Sequence, residues 1–556
     1  MIVGQPDMEK FDFFTNFTYP ISDKTEFYTF NGVTTRTGRS FAFYRAPFWR
    51  PDVAEAEFWT PANLFVGYHP TFEAAIVDNM NTAGFTFDLF GFNADLSGTY
   101  GRNDVRYTVN RSVNRDYLAD HGWSPRTFHP GGYTFGNTIF NLDLNRTLGA
   151  TDNVTLGLGV EVKDENFQSH EGDRHSYYKG GSDSFAGIKP EEVVDVSRNS
   201  KAGYVTLDFD ITDDLLIGGA ARVEDFSDFG SNFSWKLNGR YKLGRAGAIR
   251  ASFSTGFRAP TLHQRYLINS QYIVVAGSPD PVLQGTLAND NSAVKALGVP
   301  NLFAETSQNL TAGITYRLSD YLSASADFYQ ISVDDRVLFS SQITAAQEGD
   351  AIDQILKQNG VVGVQFFVNA GDTKTTGVDL VFNLNQVPAG AGYFGGVLAM
   401  NFNETEIERI KVPGALESGG YDIFDRREQS LITDSRPKSK IILGMSYEIG
   451  NLTFGLDNTR FGEVTVTSAG GDPSNDQVHS AKLVTDFRTT WKLDDMIDIN
   501  LNINNIFNVY PDELLESTGE SASGRFRYSS IVQQQNFLGT TFSVGINMKL
   551  DRKRRE

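Results

Sequence analysis

The sequence predicts an all-β protein, a transmembrane antiparallel β-barrel with about 19 strands visible in the 556 residues. Polar and apolar residues alternate strictly with a period of two along nearly the whole chain. The connections between these segments are short and long by turns. Composition agrees, with 53 Gly, 18 Pro and 13% aromatic residues, a balance that suits strands and turns better than helices.

The alternation is plainest where Val205, Leu207, Phe209 and Ile211 are interleaved with Thr206, Asp208 and Asp210. It recurs where Phe233, Trp235, Leu237, Tyr241 and Leu243 alternate with Ser234, Lys236, Asn238, Arg240 and Lys242. Later, Ile497, Ile499, Leu501 and Ile503 alternate with Asp498, Asn500, Asn502 and Asn504, and Phe542 to Leu550 repeats the pattern. Successive side chains of a strand point to opposite faces, so each segment has one apolar and one hydrated face. A soluble sandwich shows the same alternation. These segments, however, run roughly 10–14 residues, against about 5–6 for globular strands, and the longer reach is what a tilted strand needs to cross a bilayer.

The strands are expected at about 10–19, 24–36, 84–98, 103–115, 138–148, 153–168, 200–212, 215–227, 231–243, 247–258, 308–319, 322–337, 373–384, 393–407, 438–449, 452–464, 480–493, 497–508 and 536–550. Tight connections fall at 20–23, 149–152, 212–214, 244–246, 319–321, 450–451 and 494–496, and long ones at 46–82, 117–136, 168–200, 259–306, 338–365, 408–437 and 511–535. Short turns on one side and long loops on the other are the arrangement of an outer-membrane barrel.

No composition break divides the chain, so one continuous architecture is expected over 1–550, followed by a short charged tail at 551–556. No run of 18 apolar residues offers a transmembrane helix. With no cysteine, disulfides and thiolate chemistry are excluded. A formal net charge of −19 argues against a nucleic-acid partner. The first residues, Met-Ile-Val-Gly-Gln-Pro, carry neither the basic nor the apolar region of a signal peptide.

Several segments together resemble TonB-dependent receptors. They are Asp95-Leu-Ser-Gly-Thr-Tyr-Gly-Arg-Asn103 with Ser124-Pro-Arg-Thr-Phe128 and Gly131-Gly-Tyr-Thr-Phe135, then Glu171-Gly-Asp-Arg-His-Ser-Tyr177 with Ser184-Phe-Ala-Gly187. Farther on stand Gly256-Phe-Arg-Ala-Pro260, Thr376-Gly-Val-Asp-Leu380 and Asn505-Ile-Phe-Asn-Val-Tyr-Pro511. The resemblance covers the chain from end to end. It implies a 22-stranded barrel plugged by a separate N-terminal domain, importing a scarce nutrient such as a ferric siderophore, cobalamin or a saccharide. Neither a plug domain nor an energy-coupling box is recognisable; parity implies an odd number of missing strands, and the 22-stranded count of the resemblance makes it three ahead of Met1. In lipid an unpaired strand edge leaves backbone groups unsatisfied at several kcal/mol each, so the isolated chain is expected to behave poorly. The family usually ends on an aromatic residue, whereas here Leu550 precedes Asp-Arg-Lys-Arg-Arg-Glu.

The best candidates for substrate contact are loop aromatics: Phe48 and Trp49, near Phe41, Phe43 and Tyr44, and the pair Tyr177 and Tyr178. Some of these equally suit an interfacial girdle. His170 and His175, with Glu171 and Asp173, form the only dense histidine cluster, and a structural hydrogen-bonding role is favoured there over a metal site. Asp472-Pro-Ser-Asn-Asp476 lacks the glycine and terminal glutamate of a helical calcium loop and reads as a solvated turn. In Gly256–Pro260 the proline ends a ladder and Arg258 pairs in the lumen, which is architecture rather than a ligand site. No catalytic triad, phosphate loop or dinucleotide fingerprint occurs, so no enzyme, cofactor or metal is expected.

The sequence therefore points to the barrel portion of a nutrient receptor in the outer membrane of a Gram-negative bacterium, and the alternative is a plugless passive pore or surface-binding barrel. The expected partners are outer-membrane lipid, a small-molecule nutrient and, if a plug is supplied, the energy-coupling TonB protein. The expected state is a monomer.

Overall fold

A computed structural model describes residues 6–149, 153–273, 282–468, 472–519, 526–532, 534 and 537–549. The tail at 551–556 and most of the expected turn at 149–152 lie outside the described residues.

Nineteen strands form one sheet in which each pairs antiparallel with the next in chain order. They are Asp7–Ser22, Thr25–Phe41, Thr71–Leu89, Phe92–Asn110, Thr127–Leu148, Val154–His170, Asp195–Asp210, Leu215–Phe226, Gly230–Leu243, Gly247–Arg258, Glu305–Arg317, Leu322–Phe339, Phe367–Ala389, Gly392–Ile410, Ser439–Ile449, Leu452–Phe461, Lys482–Lys492, Ile497–Asn504 and Thr541–Met548. Each has its counterpart among the expected segments. Among the described residues, Asp7–Ser22 pairs only with Thr25–Phe41, and Thr541–Met548 only with Ile497–Asn504. The sheet thus has two edges, which must be joined, directly or through further strands, for the cylinder to close.

Several boundaries differ from expectation: the strand expected from 138 begins at Thr127, inside the expected connection 117–136, and the last begins at Thr541 rather than 536. The segments 84–98 and 103–115 are in fact Thr71–Leu89 and Phe92–Asn110, turning at Phe90 (φ 55°) and Gly91 (φ 80°). Two central residues with positive φ make the tight hairpin whose twist matches the strands it joins. Gly98 and Gly101, which suggest a turn in the sequence, sit mid-strand. A Cβ on Gly98 would meet the Phe140 ring at 3.2 Å, and one on Gly101 would meet the Asn137 side chain at 2.5 Å. Glycine here makes room for a cross-strand neighbour and does not mark a turn.

Register keeps the two faces distinct. Phe27, Phe85, Leu96, Leu142 and Val160 are successive cross-strand partners on the apolar face. Along other strands Val205, Leu207, Phe233, Trp235 and Leu237 stay exposed, so this face has no protein against it and meets hydrocarbon. The opposite face is polar and internally bonded. Tyr28 donates to Asp95 (2.7 Å), Arg222 bonds Glu161 (3.0 Å) and Arg250 pairs with Asp327 (2.6 Å).

The hydrophobic cores lie in the long loops. The larger unites Leu297, Ile343, Ile352, Leu356, Phe366, Leu416 and Ile423 from three loops. A small sheet of Asn269–Ile273, Val282–Thr286, Ile343–Thr344 and Val361–Gln365 belongs to the same loops. A second core joins Val53, Phe65, Tyr68, Val113 and Leu118.

Candidate binding site in the loop cap

The second core is where loops 42–70, 111–126 and 171–194 meet. Asp183 is the clasp. Its carboxylate accepts from Arg50 Nε at 2.8 Å and Nη2 at 3.2 Å, and from the Tyr68 hydroxyl, and Arg45 Nε lies 3.5 Å away. Its own backbone N–H donates to Val113 (2.9 Å). Burial pushes the Arg45 pKa down against the pull of Asp183, while for Arg50 the bonds to Asp183 outweigh burial and raise it. Burial and the same carboxylate together hold Tyr68 protonated.

A short helix, Arg115–His121, stands on this base. Asn114, fully buried, caps it by accepting from Tyr117 N (2.9 Å), and its amide donates to the His175 and Tyr178 carbonyls, each at 2.8 Å. One side chain thereby starts the helix and docks the neighbouring loop against it. The helix ends at Gly122 with φ 72°, the left-handed conformation that favours glycine.

Five rings gather on this scaffold. Tyr117 and His121, four residues apart on one helix face, stack at 4.0 Å between centroids. Trp123, His175 and Tyr178 approach Tyr117 edge-on at 5.2, 4.8 and 5.2 Å. Asp120 fixes the edge of the cluster, accepting from the Tyr178 hydroxyl (2.8 Å) and Lys179 (2.5 Å). Those bonds draw the Asp120 pKa down and push Tyr178 up. Trp123 remains half exposed at 50%. Such a surface offers stacking faces, ring nitrogens and a hydroxyl to an amphipathic ligand.

Of the sequence candidates, Tyr178 belongs to this cluster. Tyr177 turns away and donates to Glu171 (2.8 Å). Phe48 and Trp49 close a single turn of 3-10 helix, Pro47–Trp49, with their rings edge to face at 6.2 Å and Phe48 largely exposed. Their loop is held by the neighbouring Arg50–Asp183 pair. His175 was weighed only beside His170, and Tyr117, His121 and Trp123 fall in the expected long connection 117–136 but were not singled out, because the stretch ending at 115 reads as a strand and hides the helix start at Asn114. Asn114 followed by residues spaced four apart is the signal that would have found them.

His170 shares a 2.7 Å hydrogen bond with Thr134. Asp472 caps a 3-10 turn by accepting from Ser474 N (2.9 Å), and Asp476 pairs with Arg426. The strand ladder ends at Arg258, which bonds Glu305 (2.8 Å), while the Pro260 carbonyl accepts from Arg198 (2.6 Å).

The family model described as TonB dependent receptor-like, beta-barrel, matches residues 11–506. Ferric enterobactin receptor PirA of Pseudomonas aeruginosa is 27% identical over 188 residues, which are 33% of this chain and 24% of that protein. Vitamin B12 transporter BtuB of Photobacterium profundum is 24% identical over 170 residues, 30% of this chain and 23% of that one. The match therefore spans about a quarter of these curated relatives' length. Among solved structures, the siderophore receptor PirA from Acinetobacter baumannii superposes with a TM-score of 0.62 at 14% identity, over 98% of this chain and 71% of that one. The FrpB iron transporter from Neisseria meningitidis (F5-1 variant) gives 0.61 at 12% identity, over 97% and 73%. These likenesses show the barrel fold.

Proposed function

We propose that this chain, which belongs to the TonB-dependent receptor β-barrel family, forms the wall and outer loops of a receptor that imports a scarce nutrient. Members of that family are outer-membrane proteins of Gram-negative bacteria, and their roles are those of receptors and transporters. The nutrient is a ferric siderophore, cobalamin or a saccharide. The names of the curated relatives, a ferric enterobactin receptor and a vitamin B12 transporter, support the first two classes. On this reading the partners are outer-membrane lipid, the nutrient and, through a plug domain, TonB. The receptor works as a monomer without a catalytic site.

The observation that carries the proposal is the ring cluster of Tyr117, His121, Trp123, His175 and Tyr178 on the loop side, above a barrel wall whose inner face is polar. Its test is equilibrium binding of ferric siderophores and cobalamin to the purified protein. Aromatic contacts contribute roughly 0.5–1.5 kcal/mol each beyond their buried area, so the pair Trp123→Ala and Tyr178→Ala should weaken binding of the true ligand about tenfold or more. Unchanged affinity for every bound ligand would remove the cluster from the site. Failure to bind any member of the panel, together with steady conductance in planar bilayers, would favour a passive pore.

A further inference from the structure

The hydrocarbon-facing wall is not evenly convex. Register brings the smallest side chains into one row, Gly239 opposite Ala251 and Ala251 opposite Ala312. That row is closed at its ends by Ile217 and Phe328. The next row toward the short turns is bulky, with Tyr241 opposite Ile249 and Ile249 opposite Ile314. The large residues rise around the small ones and leave a groove of about 700 Å³, lined chiefly by Leu215, Ile217, Tyr241, Ile249, Ile314 and Phe328.

The place of the groove in the wall restricts what fills it. Ala251 lies four residues past Gly247, where the strand Gly247–Arg258 leaves its short turn. At about 3.3 Å per residue and a tilt near 40°, the floor sits roughly 10 Å from the turn, within the periplasmic half of an apolar band about 25 Å tall. That half of an outer membrane is glycerophospholipid. Tyr316 is exposed on the same face between the groove and the short-turn end, and Tyr241 is exposed on the groove's own short-turn side, where phenol hydroxyls meet headgroups and glycerol esters. A chain lying in the groove touches walls on several sides, while one over the convex wall touches protein on one side only.

We propose that this groove holds one acyl chain of a periplasmic-leaflet glycerophospholipid as a resident ligand of the barrel.

The test is native mass spectrometry of the whole protein, extracted in mild detergent and washed stepwise, with lipid extraction of the same samples. One phospholipid per barrel should survive washing that strips the remainder. Filling the groove with Ala251→Leu and Ala312→Leu should reduce the retained phospholipid at least fivefold, and the milder Ala251→Val should give an intermediate loss. Ala221→Leu, on the same face but outside the groove, should retain it. Heat-modifiable gel migration verifies that each variant is folded. Equal retention by the wild type and both filling variants overturns the proposal, as does no retention by the wild type. Retention of lipopolysaccharide instead of phospholipid overturns the leaflet and hence the ligand. Loss of a dimer in the filled variants, without loss of lipid, would make a second copy of the chain the occupant.

Discussion

Asp183 and Arg50 stand 133 positions apart in the chain and meet through two hydrogen bonds in the loop cap, at 2.8 and 3.2 Å. Both side chains are largely withdrawn from solvent, and Arg45 shares the same carboxylate. Breaking a buried pair by removing one partner costs about 3–5 kcal/mol, because the other charge stays buried and uncompensated. Asp183→Asn keeps the shape and removes the charge that two arginines use. It should release loops 42–70 and 171–194 together, seen as new protease cuts in both, and leave barrel migration on gels unchanged. Cuts confined to one loop would show that Asp183 is not the shared clasp.

The cap also contains a hairpin with a buried histidine. His479, 2% exposed, pairs in register with Val464. Burial lowers its pKa, and the nearby Asp512 carboxylate, itself tied to Lys482, only partly restores it. Asp512 is pushed up by burial, but bonds from Lys482 and Ser480 outweigh that and hold it at about 2, so it stays ionised through the mildly acidic range. A histidine whose folded pKa is depressed contributes stability that is full above its unfolded pKa of about 6.5 and is lost as pH falls below that. Protease cutting within this hairpin should therefore rise as pH falls below about 6.5. His479→Leu should abolish the rise, and its persistence in that variant would assign the effect elsewhere.

Face assignment is testable one residue at a time. Leu237 is exposed on the apolar face, while Asn238 faces the lumen. Arginine at Leu237 should cost about 2–4 kcal/mol of folding in lipid vesicles, whereas lysine at Asn238 should cost little. Equal penalties would mean that the apolar row does not touch hydrocarbon.

The larger loop core gives a separate measurement. Leu356 is 1% exposed within it, so Leu356→Ala should destabilise that core by about 2–5 kcal/mol. Amide exchange should quicken in 282–302, 343–365 and 411–433 and remain slow in the barrel strands. Quickened exchange in the wall would show that wall and cap unfold as one unit.

The wall was legible because its alternation is local: a strand declares its two faces within ten residues, as 233–243 does. Phe90-Gly91 was missed because Gly98 and Gly101 look like stronger turn signals, and their true cause, the Phe140 ring and the Asn137 side chain, lies on a neighbouring strand. The cap was legible only in fragments. Tyr178 stood out as an aromatic in a loop, but the partners that give it meaning, Tyr117 and Trp123, come from another loop and are brought there by Asn114. Contacts of that kind leave no period in the sequence. The end of the ladder at Arg258, two residues before Pro260, was anticipated because proline restricts backbone directly.

In most proteins the packed interior is also what holds the scaffold upright. Here the greasy interiors sit on top of the scaffold, and the scaffold stands through backbone pairing and the solvent around it. The larger interior meets the wall at the strand ends, where Leu338, Val368 and Ala370 join it. A set of loops carrying its own packed interior can be exchanged for another at the strand ends, giving the same cylinder a different appetite.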